Sequence, residues 1–530
     1  MSLFAWSWMF LIVYIVGMLA FGWIASRRIS NADDFATARS SYGPYFLALA
    51  FAATTASGAT FLGSPGLGYQ FGMASVWGKF LYPMGVYFGV LITIKLVANS
   101  GHKFGNRSIP EYLGDRYQSD GVRLLVSVFS LVLFFYIAGQ LVSGLVMFEI
   151  MLGLKPMTAL IITSGVLLVY VVLGGAHADI LTDGIQGLMM LIVAIVVIVM
   201  FLFASGMDGG LGALASNLRV QNEHLVGPLN TSNSLYDSWW AIACVLFAHI
   251  PLGMLPHIGN KVWALKNDGD RMRFVKLAFA VGLTMGMLGL GGILARGVLG
   301  PELLEAGRNP NEALPALFIE LFPTWLAALI GVGILAAIMS TADGLVVSSS
   351  QIVANDIYRR SIVPKYTPHL SDKEVDRKVL VISRWSTVVV LILCTWMAWA
   401  MQDMNIALLV WVGTGGMMAA FAGPLVVGGL WRGVTLAGAY TGLVSGMLTF
   451  ILLRSGLPWQ IVDPGSFGPL SGITEWLAHY QINPYSCAVV GEVVSIAGTY
   501  VVSKLTQPLP ETHVERLFNP AADTAEAAGG

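Results

Sequence analysis

Residues 336–360 read AAIMSTADGLVVSSSQIVANDIYRR. The stretch begins as a membrane-grade helix and ends in a basic, cytoplasm-like loop. Ala337, Ser340 and Thr341 stand at i, i+3 and i+4, so they share one helix face. Two adjacent hydroxyls beside a small residue form an oxygen-rich notch, and hard cations take oxygen ligands. Hydroxyls alone also have a plainer use. In membranes Ser and Thr join helices or bond back to their own carbonyls. The rest of the chain decides between the two.

The 530 residues are 56% hydrophobic and 11% charged, with mean hydropathy +0.73. Soluble domains run at about 25% charged, so the composition is that of an integral membrane protein. A net charge of −1 gives no basic surface for nucleic acid. Cys244, Cys394 and Cys487 are odd in number, lie in apolar segments and match no metal spacing. No His, Cys or Asp cluster marks an enzyme, and no cofactor is expected. Arg27-Arg28 follows the first apolar run where signal cleavage would need small residues, so a retained span is expected.

Thirteen apolar segments, each about 20 residues long, suit a bilayer crossing. They centre near residues 16, 54, 88, 137, 167, 193, 248, 286, 336, 390, 418, 444 and 494. Lys and Arg in the connecting loops set orientation. With the N-terminus outside, only Lys79, Lys155, Arg219, Arg296, Arg308 and Arg454 fall on the outer side, and Lys95 lies within a span. The other twenty-two fall inside. The reading is therefore N-out and C-in, in the cell (inner or plasma) membrane. One transmembrane domain is expected over 1–505, with a short disordered cytoplasmic tail over 506–530.

Two spans are poor continuous helices. The first contains AATTASGAT at 52–60, then Gly63, Pro65, Gly66 and Gly68; the second contains His249, Pro251, Gly253, Pro256 and Gly259. They stand five spans apart and so run in opposite directions. Carriers built from two inverted five-helix repeats begin each half with a broken helix and bind solute at the breaks. The repeats then cover about 43–205 and 237–430, with extra helices at about 5–26, 434–454 and 484–503. Ser340 and Thr341 fall on the eighth core helix, across from the first break.

At these residues the chain resembles the sodium/solute symporter family, over roughly 5–505. The likeness rests on 336–360, on GGAHADILTDGIQGLMML at 174–191, on ATTASGATFLGSPGLGYQFG at 53–72 and on GMLPHIGNKVWA at 253–264. It is nearest to the branch carrying pantothenate and small monocarboxylates. The resemblance implies an all-α fold of the LeuT-like 5+5 type. It implies sodium ligands at Ala53 and Ala56 (backbone carbonyls), Ala337 (carbonyl), and Ser340 and Thr341 (hydroxyls). It also makes Asp183 a coupling acid, against the plainer reading of a helix cap. Thr55 stands where the proline branch has Asp, which departs from proline selectivity. Asp343 follows the hydroxyl pair where relatives are often neutral.

Candidate solute contacts are Thr55, Ser57, Gly58, Thr60, Lys79 and His249. Helix-start N–H groups near Ser57–Thr60 favour a carboxylate. Lys79 has two readings, a cation for an anionic solute or a side chain snorkelling to the interface. The expected function is sodium-coupled import of a small organic acid by alternating access. The rivals are a sodium symporter for a neutral solute (sugar, amino acid or osmolyte) and a proton-coupled carrier.

Overall fold

The computed structural model describes residues 1–518 apart from Arg28, Ser30 and Asn31. Every regular element among them is helical. Among the described residues ten helices are long and apolar enough to cross a membrane, or eleven if the bent pair Trp239–Met254 and Pro256–Ala264 is one span. Shorter apolar helices occupy Pro44–Thr55 and Pro156–Val169, where the sequence placed its second and fifth crossings. Length and apolarity alone therefore do not return thirteen.

Both expected breaks are present. The helix Pro44–Thr55 ends at Ala56, whose φ of −89° and ψ of 79° leave the helical region. The chain resumes as a π-helical turn, Ala59–Gly63, and then the helix Ser64–Phe71. The second break runs from Trp239–Ala248 through short turns at Pro251–Met254, Pro256–Gly259 and Asn260–Ala264, with a bend of 54°. Leu255 is extended there (φ −60°, ψ 153°), as the residue before a proline prefers. The two repeats are tied together beside the breaks. The Tyr42 N–H donates to the Ala264 carbonyl at 2.9 Å, and the Lys266 N–H to the Tyr42 carbonyl at 2.8 Å.

Glycines bring a neighbouring helix against each break. A Cβ at Gly89, in Val76–Phe104, would lie 1.7 Å from the Ile250 carbonyl oxygen. A Cβ at Gly292, in Leu290–Leu299, would lie 1.8 Å from the Pro65 carbonyl oxygen. Only a residue without a side chain permits such approach. The two spans expected near 167 and 193 join at Gly175, at φ 48°, within Pro156–Leu202.

The helix Thr324–Gln351 runs through the centre, and every residue from Ile330 to Gln351 is buried. A helix apolar on most of its circumference is buried on all sides. Its polar residues must then find partners inside the protein. The segment expected to end in a basic loop stays helical instead, as a π-helix over Ile352–Ile362 and a turn at Val363–Tyr366. Arg39, Arg107, Arg359 and Arg360, all assigned to one side of the membrane, share the carboxylates of Asp33, Asp376 and Glu111. The expected disordered tail is ordered in part. Glu511–Phe518 is a helix with Val514 and Leu517 buried and with Arg116 and Arg432 over the Phe518 ring. Residues 519–530 lie outside the described residues.

Candidate functional site

A helix end leaves carbonyls without partners. At the first break two are taken by side chains. The Thr341 hydroxyl donates to the Thr54 carbonyl at 3.1 Å, and the Tyr82 hydroxyl to the Thr55 carbonyl at 2.5 Å. Among the described residues no backbone N–H beyond the helix donates to the carbonyl of Ala53 or Ala56. The Thr341 bond brings the hydroxyl face of Thr324–Gln351 against the break. Ala337, Ser340 and Thr341 are fully buried there. Ser340 Oγ lies beside Asp183 yet makes no hydrogen bond of normal geometry.

Asp183 belongs to a buried ionic cluster. Lys261 Nζ lies 3.0 Å from Asp179 Oδ2 and contacts Asp183 Oδ2 and Thr54 Oγ1 directly. Thr54 Oγ1 is also 2.7 Å from Asp183 Oδ2. One carboxylate oxygen from each of Asp179, Asp183 and Asp343 falls within 4.8 Å of the others. Asp343 accepts the Gly344 N–H at 2.8 Å. Asp183 is thus an ion-pair partner at full burial and not a helix cap near the surface. Lys261, expected in a basic inner loop, is only 4% exposed. Thr54 joins the two regions, its carbonyl to Thr341 and its hydroxyl to Lys261 and Asp183.

A cavity of about 720 Å³, open mouth included, lies at the first break. Ser57, Thr60, Ser64 and Thr414 give it hydroxyls, while Tyr82, Tyr136, Trp411 and Tyr485 give it aromatic walls. His249 lines it and packs edge-on against Tyr82 and Trp411, with ring centroids 4.7 and 4.6 Å away. Its Nδ1 lies 2.5 Å from the Val245 carbonyl, which can only accept, so Nδ1 carries the proton. Among the described residues Lys79 is the sole charged one in the lining. It is 3% exposed, so it does not snorkel. Its ammonium donates to the Ser64 hydroxyl at 2.8 Å and to the Ser64 carbonyl at 2.9 Å.

Two candidate contacts are committed elsewhere. The Thr55 hydroxyl donates to the Ala52 carbonyl at 2.8 Å, and the Gly58 N–H donates to Gln140 Oε1 at 2.8 Å. Neither residue lines the cavity. The free helix-start donors expected near Ser57–Thr60 are also engaged. The Ala59 N–H goes to Ser57 Oγ, and those of Thr60 and Phe61 go to the Ser57 carbonyl. The Gly58, Ala59, Thr60 and Phe61 N–H groups are thus not free donors for a carboxylate. The sequence reading missed Asp179, Lys261 and Gln140. The spacing of Asp179 and Asp183, one helical turn apart, was the available signal for a shared charged face.

The model of the Sodium:solute symporter family matches residues 35–446. The chain belongs to that family. The sodium/proline symporter of Staphylococcus aureus strain JH9 is 28% identical over 528 residues, covering 97% of this chain and 94% of its own length. Among solved structures, a Na+-coupled sialic acid symporter in a substrate-bound outward-open state superposes with a TM-score of 0.72 at 19% identity. The match covers 96% of this chain and 99% of that one. The nucleobase-cation-symport-1 transporter Mhp1, closed with bromovinylhydantoin bound, gives 0.52 at 13%, covering 91% and 97%. This family member is a multi-pass, sodium-coupled solute symporter with the inverted-repeat fold.

Proposed function

We propose that this symporter imports a small organic anion, with a monocarboxylate or pantothenate as the leading class, across the cell membrane with its N-terminus outside. One observation carries the reading. The solute cavity holds a buried Lys79 ammonium, and no carboxylate lines the cavity with it. A buried charge is costly without a partner, and an anionic solute supplies one. Ser64 orients the ammonium, the hydroxyls serve polar substituents, and the aromatic walls take an apolar body.

Sodium is assigned to the Ala53, Ala56 and Ala337 carbonyls with the Ser340 and Thr341 hydroxyls. Two carbonyls at the break with no backbone donor beyond the helix among the described residues, and one unbonded buried hydroxyl, support that assignment. Sodium there would join the break to the central helix and so preorganise the adjacent cavity. By linkage, each ligand then raises the affinity for the other.

A second reading is a zwitterionic amino acid, favoured by the sodium/proline symporters among the relatives. It needs a counter-charge for the solute's ammonium, and the cavity lining contains none. Uptake into proteoliposomes separates the two, using pyruvate, acetate, pantothenate, proline and glucose with and without a sodium gradient. A carboxylate without an amino group should be the best solute, and its uptake should collapse when choline replaces sodium. A preference for proline or glucose would discard the anion reading.

A further inference from the structure

The cluster around Lys261 is a cation site in its chemistry. Its three aspartates come from two helices, Asp179 and Asp183 from one and Asp343 from the other. The ammonium meets Oδ2 of Asp179, Oδ2 of Asp183 and Oγ1 of Thr54. Those are three oxygen partners of the kind a hard monovalent ion takes. More buried oxygen is at hand, since Asp179 Oδ1 and Asp183 Oδ1 have no hydrogen-bond partner. Lys261 reaches the site from the second break, in the turn Asn260–Ala264 of the repeat that also carries Asp343. A small cavity lined by Asp179, His257, Lys261 and Ser348 gives access to the ammonium, and it shares no lining residue with the solute cavity.

We propose that Lys261 is the resident cation of this site, and that the carrier therefore supplies from its own chain a charge that would otherwise be a second bound sodium. Removing the ammonium leaves three clustered carboxylates and the Thr54 hydroxyl without their cation, beside a small cavity that Asp179 lines. A sodium ion then takes its place. The proposal uses the sodium assignment at Ser340 and Thr341 only for the wild-type baseline. The difference between variant and wild type stands apart from it.

The test counts radioactive sodium bound per chain at saturation, in the purified full-length carrier without solute. Lys261→Gln should bind one more sodium than wild type, and Asp183→Asn added to it should remove the extra ion. Lys261→Arg keeps the charge and should match wild type. Where Lys261→Gln gives no folded carrier, Lys261→Gln with Asp179→Asn removes one charge of each sign and takes its place in the same count. A count equal to or below wild type in Lys261→Gln, or in its Asp179→Asn substitute, overturns the proposal, as does a gain in Lys261→Arg. A wild-type count of zero would instead remove the Ser340–Thr341 assignment, with the difference still deciding the role of Lys261.

Discussion

The two broken helices are packed alike and used differently. Each has a glycine-bearing neighbour pressed onto its backbone, Gly292 on Pro65 at the first break and Gly89 on Ile250 at the second. Their polar groups then diverge. Among the described residues, no backbone N–H beyond the helix donates to the carbonyls of Ala53 and Ala56 at the first break. The second is restitched at once, with the Leu252 carbonyl accepting from Leu255 at 3.1 Å and the Leu255 carbonyl from Gly259 at 2.8 Å. It contributes His249 to the cavity wall and Lys261 to the acid cluster. The inverted repeat thus supplies a common packing device.

The packing half of this comparison predicts equal sensitivity. Gly89→Val and Gly292→Val each force a branched side chain into a backbone contact. Overpacking of this kind costs about 1–3 kcal/mol and at times more, so both variants should lose melting temperature and folded yield to a similar degree. If one tolerates the change in a thermal melt, the two breaks are not held by the same device.

The chemical half predicts an asymmetry. Lys79→Met keeps the aliphatic stem and removes the charge facing the first break. A charge-assisted hydrogen bond is worth about 1.5–3 kcal/mol, so a carboxylate solute should bind roughly 10- to 100-fold more weakly. Sodium affinity measured without solute should stay near wild type. Competition binding with the best carboxylate of the panel reads this directly. Wild-type affinity in the variant would return Lys79 to a packing role beside Ser64.

Much of this was legible because a helix break is a local event. Thr54 to Gly68 and His249 to Gly259 carry enough Gly and Pro to declare themselves, and Ser340 and Thr341 share a face by spacing alone. What could not be read depends on contacts distant in the chain. Gln140 occupies the Gly58 N–H from 82 residues away. Lys261 looks like a loop cation because nothing beside it in sequence announces Asp179 and Asp183. Withdrawing it and Lys79 from the loop charges still leaves twenty-one against five, so the expected orientation does not depend on them. The tail looked disordered from its Ala, Glu and Pro content. Val514, Leu517 and Phe518 were the apolar spacing that docks its first part.

The central claim is that the first break and the central helix hold sodium between them. It is tested most directly by titrating sodium-dependent uptake in the Ser340→Ala/Thr341→Ala variant, correctly inserted in proteoliposomes. Loss of two of about five oxygen ligands should raise the sodium concentration for half-maximal uptake at least tenfold, about 1.4 kcal/mol. An unchanged sodium dependence in that variant would contradict the account.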